Sequence, residues 1–307
     1  MRDNFIQSLF KLAEEDSRII LVTADLGFSV FDDFRRLKPD QFINAGVSEQ
    51  NMTMLATGMA LEGKIVFTYS IGNFPTLRCL EMIRNDAAYH NANVKVVCIG
   101  GGFSYGALGI SHHATEDLAI MRSLPDVTII SPSTHWEVIQ ATKQLVDLEG
   151  TCYLRLDKSH GTDSLEAQEE FKVGKMRKLR DGADGIILVT GGILCEAQKA
   201  AEALSRNQGI ELSIMSCHSI KPFDEAGLIH LAKKFPALIT LEEHTIYGGL
   251  GGLVSEILID NNIVPNKILR IGLTEGFSSI VGSQDYLRKQ YKMDSSAIVD
   301  RVSKLLL

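Results

Sequence analysis

The amino-acid sequence predicts an α/β protein built from two doubly wound domains. Short β-branched apolar runs alternate with stretches of helical period along most of the chain. The runs are continuously apolar, as expected for strands of parallel sheets covered by helices on both faces. This alternation lapses over residues 157–182, which are charged and polar and carry Gly161, Gly174 and Gly182, and then resumes. A chain of 307 residues is long enough for two such domains, each with its own core. The expected boundaries are 1–160 for the first domain, 161–182 for a connector and 183–307 for the second.

In chain order, MRDNFIQSLFKLAEEDS reads as an amphipathic helix with Phe5, Ile6, Leu9, Phe10 and Ala13 on one face. Strands are expected at 19–24, 64–70, 94–100, 127–131 and 152–156, with helices around 49–62, 74–90, 115–123 and 134–148. The connector is expected to hold a short β excursion near 171–173. The second series places strands at 185–190, 211–215, 237–242 and 267–271. Its helices fall near 194–206, 224–234, 250–262, 284–290 and 294–306.

Bulk properties exclude several classes of function. The net charge of -7, with no basic tract, argues against nucleic-acid or anionic-membrane partners. No apolar run reaches the roughly 18 residues of a membrane helix, and the N-terminus lacks the pattern of a signal peptide. The five cysteines are scattered with no CxxC, which reads as reduced core thiols of a cytoplasmic protein. The eight histidines show no ligand spacing, so no metal site made by this chain alone is expected.

Residues 42–52 (FINAGVSEQNM) carry the main chemical signal. A short apolar strand runs into Gly46, which permits a tight turn, and Ser48 is placed to cap a helix through its side chain. Glu49 then opens that helix near the carboxyl end of a strand, where ligands gather in open α/β sheets. A capped helix with an acidic first residue, favoured by the helix dipole, leaves the same pattern.

Gly46-Val47-Ser48-Glu49-Gln50 resembles the GxxEx segment of transketolases. So do FPTLRCLEMIRND (74–86), SHHATED (111–117), RSLPD (122–126), and Glu242-Glu243-His244 followed by Gly248-Gly249-Leu250-Gly251-Gly252. These anchors stand in the family's order and cover nearly the whole chain. They match its C-terminal portion, as in two-subunit transketolases and, more distantly, deoxyxylulose-phosphate synthases and 2-oxoacid dehydrogenase beta subunits. The resemblance implies a thiamine-diphosphate-binding (pyrimidine) domain followed by a transketolase C-terminal domain.

By this resemblance Glu49 is the catalytic carboxyl group that hydrogen-bonds N1′ of the thiamine aminopyrimidine, and Phe74 packs on the same ring. Ile71 and Leu77 stand where many members carry aromatics, which leaves Phe74 as the main stacking partner. Asp25 matches an acid near the cofactor, and Ser29 falls near a serine that contacts sugar phosphate. His112, in the glycine-rich stretch 100–113, matches a histidine that handles donor hydroxyls, while His113 occupies a place often taken by Gln. Arg155 matches an arginine that binds substrate phosphate. Leu108 and Gly100 stand where typical transketolases carry an Asp and a phosphate-contacting His, which implies either an altered ketose donor or a donor hydroxyl met from another direction by Tyr105, Ser104 or a partner residue. Taken alone, the residues also allow less: Asp25 as a turn residue, the His pair as loop contacts, Arg155 as a partner for a carboxylate. The glycine-rich helix start after Glu242 could hold an anion, with a structural role favoured.

The GDG…Asn element by which thiamine-diphosphate enzymes hold diphosphate and Mg²⁺ is missing from the sequence. The implied assembly is therefore an α2β2 heterotetramer. An N-terminal subunit carrying that motif would hold the metal and share the cofactor, and the substrates would be sugars or sugar phosphates. Competing readings are another thiamine-dependent carboligase, a 2-oxoacid dehydrogenase beta-type subunit, and a catalytically silent homologue that stabilises a partner.

Overall fold

The computed structural model describes residues 1–27, 30–163, 170–274 and 276–307. The expected apolar runs form strands β1 (Ile19–Thr23), β2 (Phe42–Asn44), β3 (Ile65–Ile71), β4 (Val94–Ile99), β5 (Thr128–Ile130) and β6 (Cys152–Leu156). These six are mutually parallel in the order β5-β6-β4-β3-β1-β2. The second half supplies β7 (Arg177–Arg180), β8 (Gly185–Thr190), β9 (Leu212–Ser216), β10 (Ser219–Lys221), β11 (Ala237–Thr245) and β12 (Lys267–Leu273). Its sheet runs β12-β11-β8-β9-β7, with only β7 antiparallel to its neighbour. Residues of β1, β4, β6 and β8 are buried throughout, which is why these strands read as unbroken apolar runs. The fold is thus the doubly wound α/β pair that the sequence predicts.

Several elements differ from expectation. β10 lies in sequence within the second half, yet it pairs antiparallel with β5 and closes the edge of the first sheet. β7 is the β structure of the connector, and 171–173 form no strand. Its basic residues masked it in the sequence, although Arg177 and Leu179 both turn inward. The expected helix at 74–90 is broken. A 3₁₀ turn (Leu77–Cys79) and one α turn (Leu80–Met82) lead into a π segment (Ile83–Ala88). Pro75 disfavours helical backbone at Phe74 and delays the start. In the N-terminal helix (Arg2–Glu15), Phe5, Leu9 and Ala13 are buried, while Ile6 and Phe10 flank the stripe half-exposed.

The parallel register puts the carboxyl ends of β2, β3, β4 and β6 along one edge of the first sheet. Glu49, Phe74, the stretch 100–113 and Lys158 all follow these ends directly. No helix among the described residues is long and apolar enough to cross a membrane.

Candidate active site

Glu49 is the first residue of the helix Glu49–Leu61, whose inner face buries Met52, Thr53, Ala56, Thr57 and Ala60. Gly46 makes the preceding turn at φ +77°, a left-handed conformation suited to glycine. Ser48 occupies the N-cap, but its side chain makes no capping bond: Oγ donates to the Ala45 carbonyl at 3.1 Å. The turn is instead tied to β1. Asn44 Nδ2 donates to Asp25 Oδ1 (2.9 Å), and Asn44 Oδ1 accepts from the Asp25 and Gly46 amides (3.0 Å each). Asp25, at φ +55°, therefore braces the turn that delivers Glu49.

The Glu49 side chain is 5% exposed and accepts a hydrogen bond from Arg78 Nη1 at 2.7 Å. Its other oxygen, Oε1, has no hydrogen-bond partner among the described residues. The Arg78 guanidinium lies 4.7 Å from the Phe74 ring centroid, and Phe74 meets His112 edge-on at 5.0 Å. Glu49, Arg78, Phe74 and His112 thus form one contiguous row. Three of the four were singled out from sequence. Arg78 was not, although it lies four residues after Phe74 within the segment 74–86.

His112 Nδ1 lies 3.0 Å from Ser111 Oγ, and burial followed by the neighbouring His113 lowers the pKa of His112 below the usual imidazole value. The shift favours the neutral ring, the form that can accept a proton. His113 is fully buried, with Nε2 3.0 Å from the Gly106 carbonyl and its ring edge-on to Phe103. Asn73 Nδ2 donates to the His113 carbonyl (2.9 Å), and its buried Oδ1 has no partner. The stretch 100–113 is also pinned from the second domain. Glu243 Oε1 accepts the Phe103 amide (2.5 Å) and Gln284 Nε2 (2.9 Å), while Glu243 Oε2 accepts from Arg288.

Arg155 departs from expectation. Its side chain is 1% exposed, and its donors go to Asp117 Oδ2 (2.9 Å), Asp157 Oδ1 (3.4 Å) and the Ala114 and Glu243 carbonyls (3.1 Å each). A guanidinium so committed binds the two halves of the chain together and has no donors turned to a substrate phosphate. The cation beyond the end of β6 that borders the cleft is Lys158, with Nζ 3.7 Å from the Tyr105 centroid. Tyr105, Asp157, Lys158 and His135 line a recess of about 340 Å³. Lys158 was missed because a terminal arginine on an apolar strand reads alike whether buried or free. Ser29 lies outside the described residues.

Gly100, at φ +105°, leaves room that Tyr105 fills: a Cβ there would come within 2.3 Å of the Tyr105 ring. Leu108 is 57% exposed. The glycine-rich helix start after β11 is filled by the chain's own Glu242 carboxyl group, in keeping with a structural role. Its two oxygens accept the Leu250 and Gly251 amides at 2.7 Å each. No group of three or more His, Cys, Asp or Glu side chains arranged to hold a metal occurs among the described residues.

Two family models account for nearly all of this architecture: the transketolase pyrimidine-binding domain matches residues 1–162, and the transketolase C-terminal domain matches 174–298. The chain belongs to the transketolase family. Among relatives of this transketolase-family chain is a 6-deoxy-6-sulfo-D-fructose transketolase subunit of Clostridium sp., 35% identical over 97% of this chain and 92% of that protein. One of the subunits of an apulose-4-phosphate transketolase from Phocaeicola vulgatus is 36% identical over 88% of this chain and 86% of that one. Among solved structures, a split-gene transketolase described as an inactive beta4 tetramer superposes with a TM-score of 0.86. It is 31% identical and covers 99% of this chain and 97% of that one.

Proposed function

We propose that this chain is the C-terminal subunit of a two-subunit transketolase, which moves a two-carbon ketol unit from a ketose donor to an aldose acceptor with thiamine diphosphate. The observation that carries the reading is the row Glu49–Arg78–Phe74–His112, which sets a buried carboxylate with one free oxygen, a flat aromatic ring and an imidazole along one line, with the Arg78 guanidinium between the first two. These residues fit the pyrimidine half of the cofactor. The carboxylate suits a protonated ring nitrogen, the phenyl face suits a planar heterocycle, and Asn73 Oδ1 is a buried acceptor still without a partner. When bound, thiamine diphosphate supplies the carbon nucleophile and electron sink of the ketol transfer.

In this reading Glu49 holds or moves a proton at the aminopyrimidine, and the helix Glu49–Leu61 fixes its position. His112 takes and returns a proton at the donor hydroxyls. Asp25 supports the cofactor site by bracing the turn before Glu49. Diphosphate and Mg²⁺ fall to a partner subunit with the GDG…Asn element. Val47, 78% exposed beside the Glu49 turn, supports a site completed by another chain. The split-gene and subunit relatives support the same division.

The donor is proposed to be a ketose other than an ordinary pentulose phosphate. Leu108 offers no acceptor for a donor hydroxyl, Tyr105 fills the space beside Gly100, and Lys158, with Arg2 in the same recess, is a cation placed to meet an anionic tail. Phosphate and sulfonate share that chemistry, in keeping with the two relatives above. The test is calorimetry with thiamine diphosphate and Mg²⁺ on this chain alone and on the complex with its N-terminal partner, followed by steady-state comparison of ketose donors. Binding and turnover are expected only in the complex, with xylulose 5-phosphate a poor donor. Tight binding and turnover by the isolated chain overturn the split site. A best specificity constant for xylulose 5-phosphate overturns the altered donor.

A further inference from the structure

The mechanism leaves Arg78 unused, although it touches both groups assigned to the aminopyrimidine. Its Nη1 donates to Glu49 Oε2 at 2.7 Å, and its guanidinium faces the Phe74 ring at 4.7 Å. A guanidinium and a protonated aminopyrimidine share the relevant chemistry: each is flat and cationic, donates from its edge to a carboxylate and offers a face to an aromatic ring. The two partners differ in freedom. Glu49 is 5% exposed on a rigid helix, whereas Arg78 is 48% exposed on a long unbranched stem rooted in the turn Leu77–Cys79. The backbone of that turn is fixed independently, since the Arg78 amide donates to the Asn73 carbonyl (3.2 Å) and its carbonyl accepts Gln50 Nε2 (3.2 Å). The guanidinium can therefore leave without dragging the chain.

The geometry points to Arg78 as an internal stand-in for the aminopyrimidine: it holds the Glu49 carboxylate and the Phe74 face until the ring arrives, and must swing out for it to enter. This rests on the pyrimidine-site reading of Glu49 and Phe74. The consequence is twofold. The near-buried carboxylate of Glu49 is never left without a cation while the site awaits its cofactor. Cofactor affinity is also reduced by the fraction of molecules in which Arg78 is in place, because only the open form is competent.

The test is calorimetry with thiamine diphosphate and Mg²⁺ on the reconstituted complex, comparing wild type with Arg78→Ala. For a half-exposed ion pair the expected gain in apparent affinity on removing the guanidinium is about 5-fold. In a Glu49→Gln background the same substitution should change affinity by less than about 2-fold, since the clasp is already broken. A second readout needs no cofactor: the guanidinium NMR signal of Arg78 in the full chain, assigned by its loss in Arg78→Ala, should lose its exchange protection in Glu49→Gln. Affinity that is unchanged or weaker in Arg78→Ala overturns the stand-in, as does an Arg78 signal indifferent to Glu49→Gln. A wild-type complex that binds no thiamine diphosphate overturns the pyrimidine-site reading itself, and the stand-in with it.

Discussion

Glu49 has a role that can be separated from its contribution to the fold. Its carboxylate lies at a helix start and takes one hydrogen bond from Arg78, so a glutamine of nearly equal shape can fill the same space. Glu49→Gln in the complex should reduce turnover by at least about 100-fold, the range for loss of a proton-transferring side chain, with thermal unfolding little changed. Exchange of the C2 proton of bound cofactor reads the step directly, and a wild-type exchange rate in the variant removes Glu49 from it. At this scale the sequence was readable where residue type and local order coincide. A carboxylate after a strand–glycine–serine turn, Phe74 after β3 and the histidine of a glycine-rich loop all line one row. It was unreadable where a contact depends on distant chain. Nothing local says that Arg78 reaches Glu49, or that Ser48 turns away from the helix it precedes.

Among the elements, β6 and the residues just after it separate two kinds of cation. Arg155 is within the strand and wholly engaged, whereas Lys158 lies beyond its end beside Tyr105. Arg155→Gln would leave Asp117 and Asp157 buried without their cation, a class of change that costs about 3–5 kcal/mol. The expected result is a large fall in Tm, with Lys158→Gln instead raising KM for an anionic donor at nearly constant Tm. A KM effect from Arg155→Gln at unchanged Tm would restore Arg155 to the substrate. The longer apolar strands were legible because burial on both faces gives them unbroken hydrophobic runs. β7 and β10 were not, being four- and three-residue edge strands carrying lysine or arginine. The expected helix at 74–90 failed for a different reason: its period is helical, but Pro75 and the π segment reset the phase that a periodicity count assumes.

For the molecule as a whole, the two halves meet through groups whose protonation matters. His244, at the end of β11, is fully buried between them. Nδ1 lies 2.7 Å from the Thr245 carbonyl, and Nε2 accepts the Ala119 amide at 3.3 Å, an arrangement that requires the neutral ring. Burial pushes its pKa down to about 4. A value below that of the unfolded chain contributes stability above about pH 6.5, and the contribution is lost as pH falls through the folded value. His218, pushed down to about 3 by burial, adds to the same acid limb. Glu242, pushed up to about 7 by burial, acts in the opposite sense, favouring the fold as pH drops through neutrality. The part that belongs to His244 is read by difference: between about pH 6.5 and pH 4, Tm should fall less, or rise more, in His244→Gln than in wild type. Identical slopes in wild type and variant would show that His244 does not govern acid stability. The division into two α/β halves was legible from the lapse in alternation, but the contacts across it were not, since they join residues far apart in sequence, as Ala119 with His244 and Arg155 with Glu243.

β10 bears on how the chain is made. The first sheet keeps an open edge at β5 until Ser219–Lys221 arrives, after β7, β8 and β9 have all been laid down. During synthesis from the N-terminus, the leading domain therefore leaves the ribosome with an unpaired strand exposed, and completes itself only when the first three strands of the trailing half are also out. An exposed edge is a template for pairing with other chains, so the interval in which nascent chains are most prone to stick to one another is fixed by the distance in sequence between β5 and β10. A ribosome stalled before residue 219 would carry a first domain lacking its last strand, and only the second domain's own emergence relieves it.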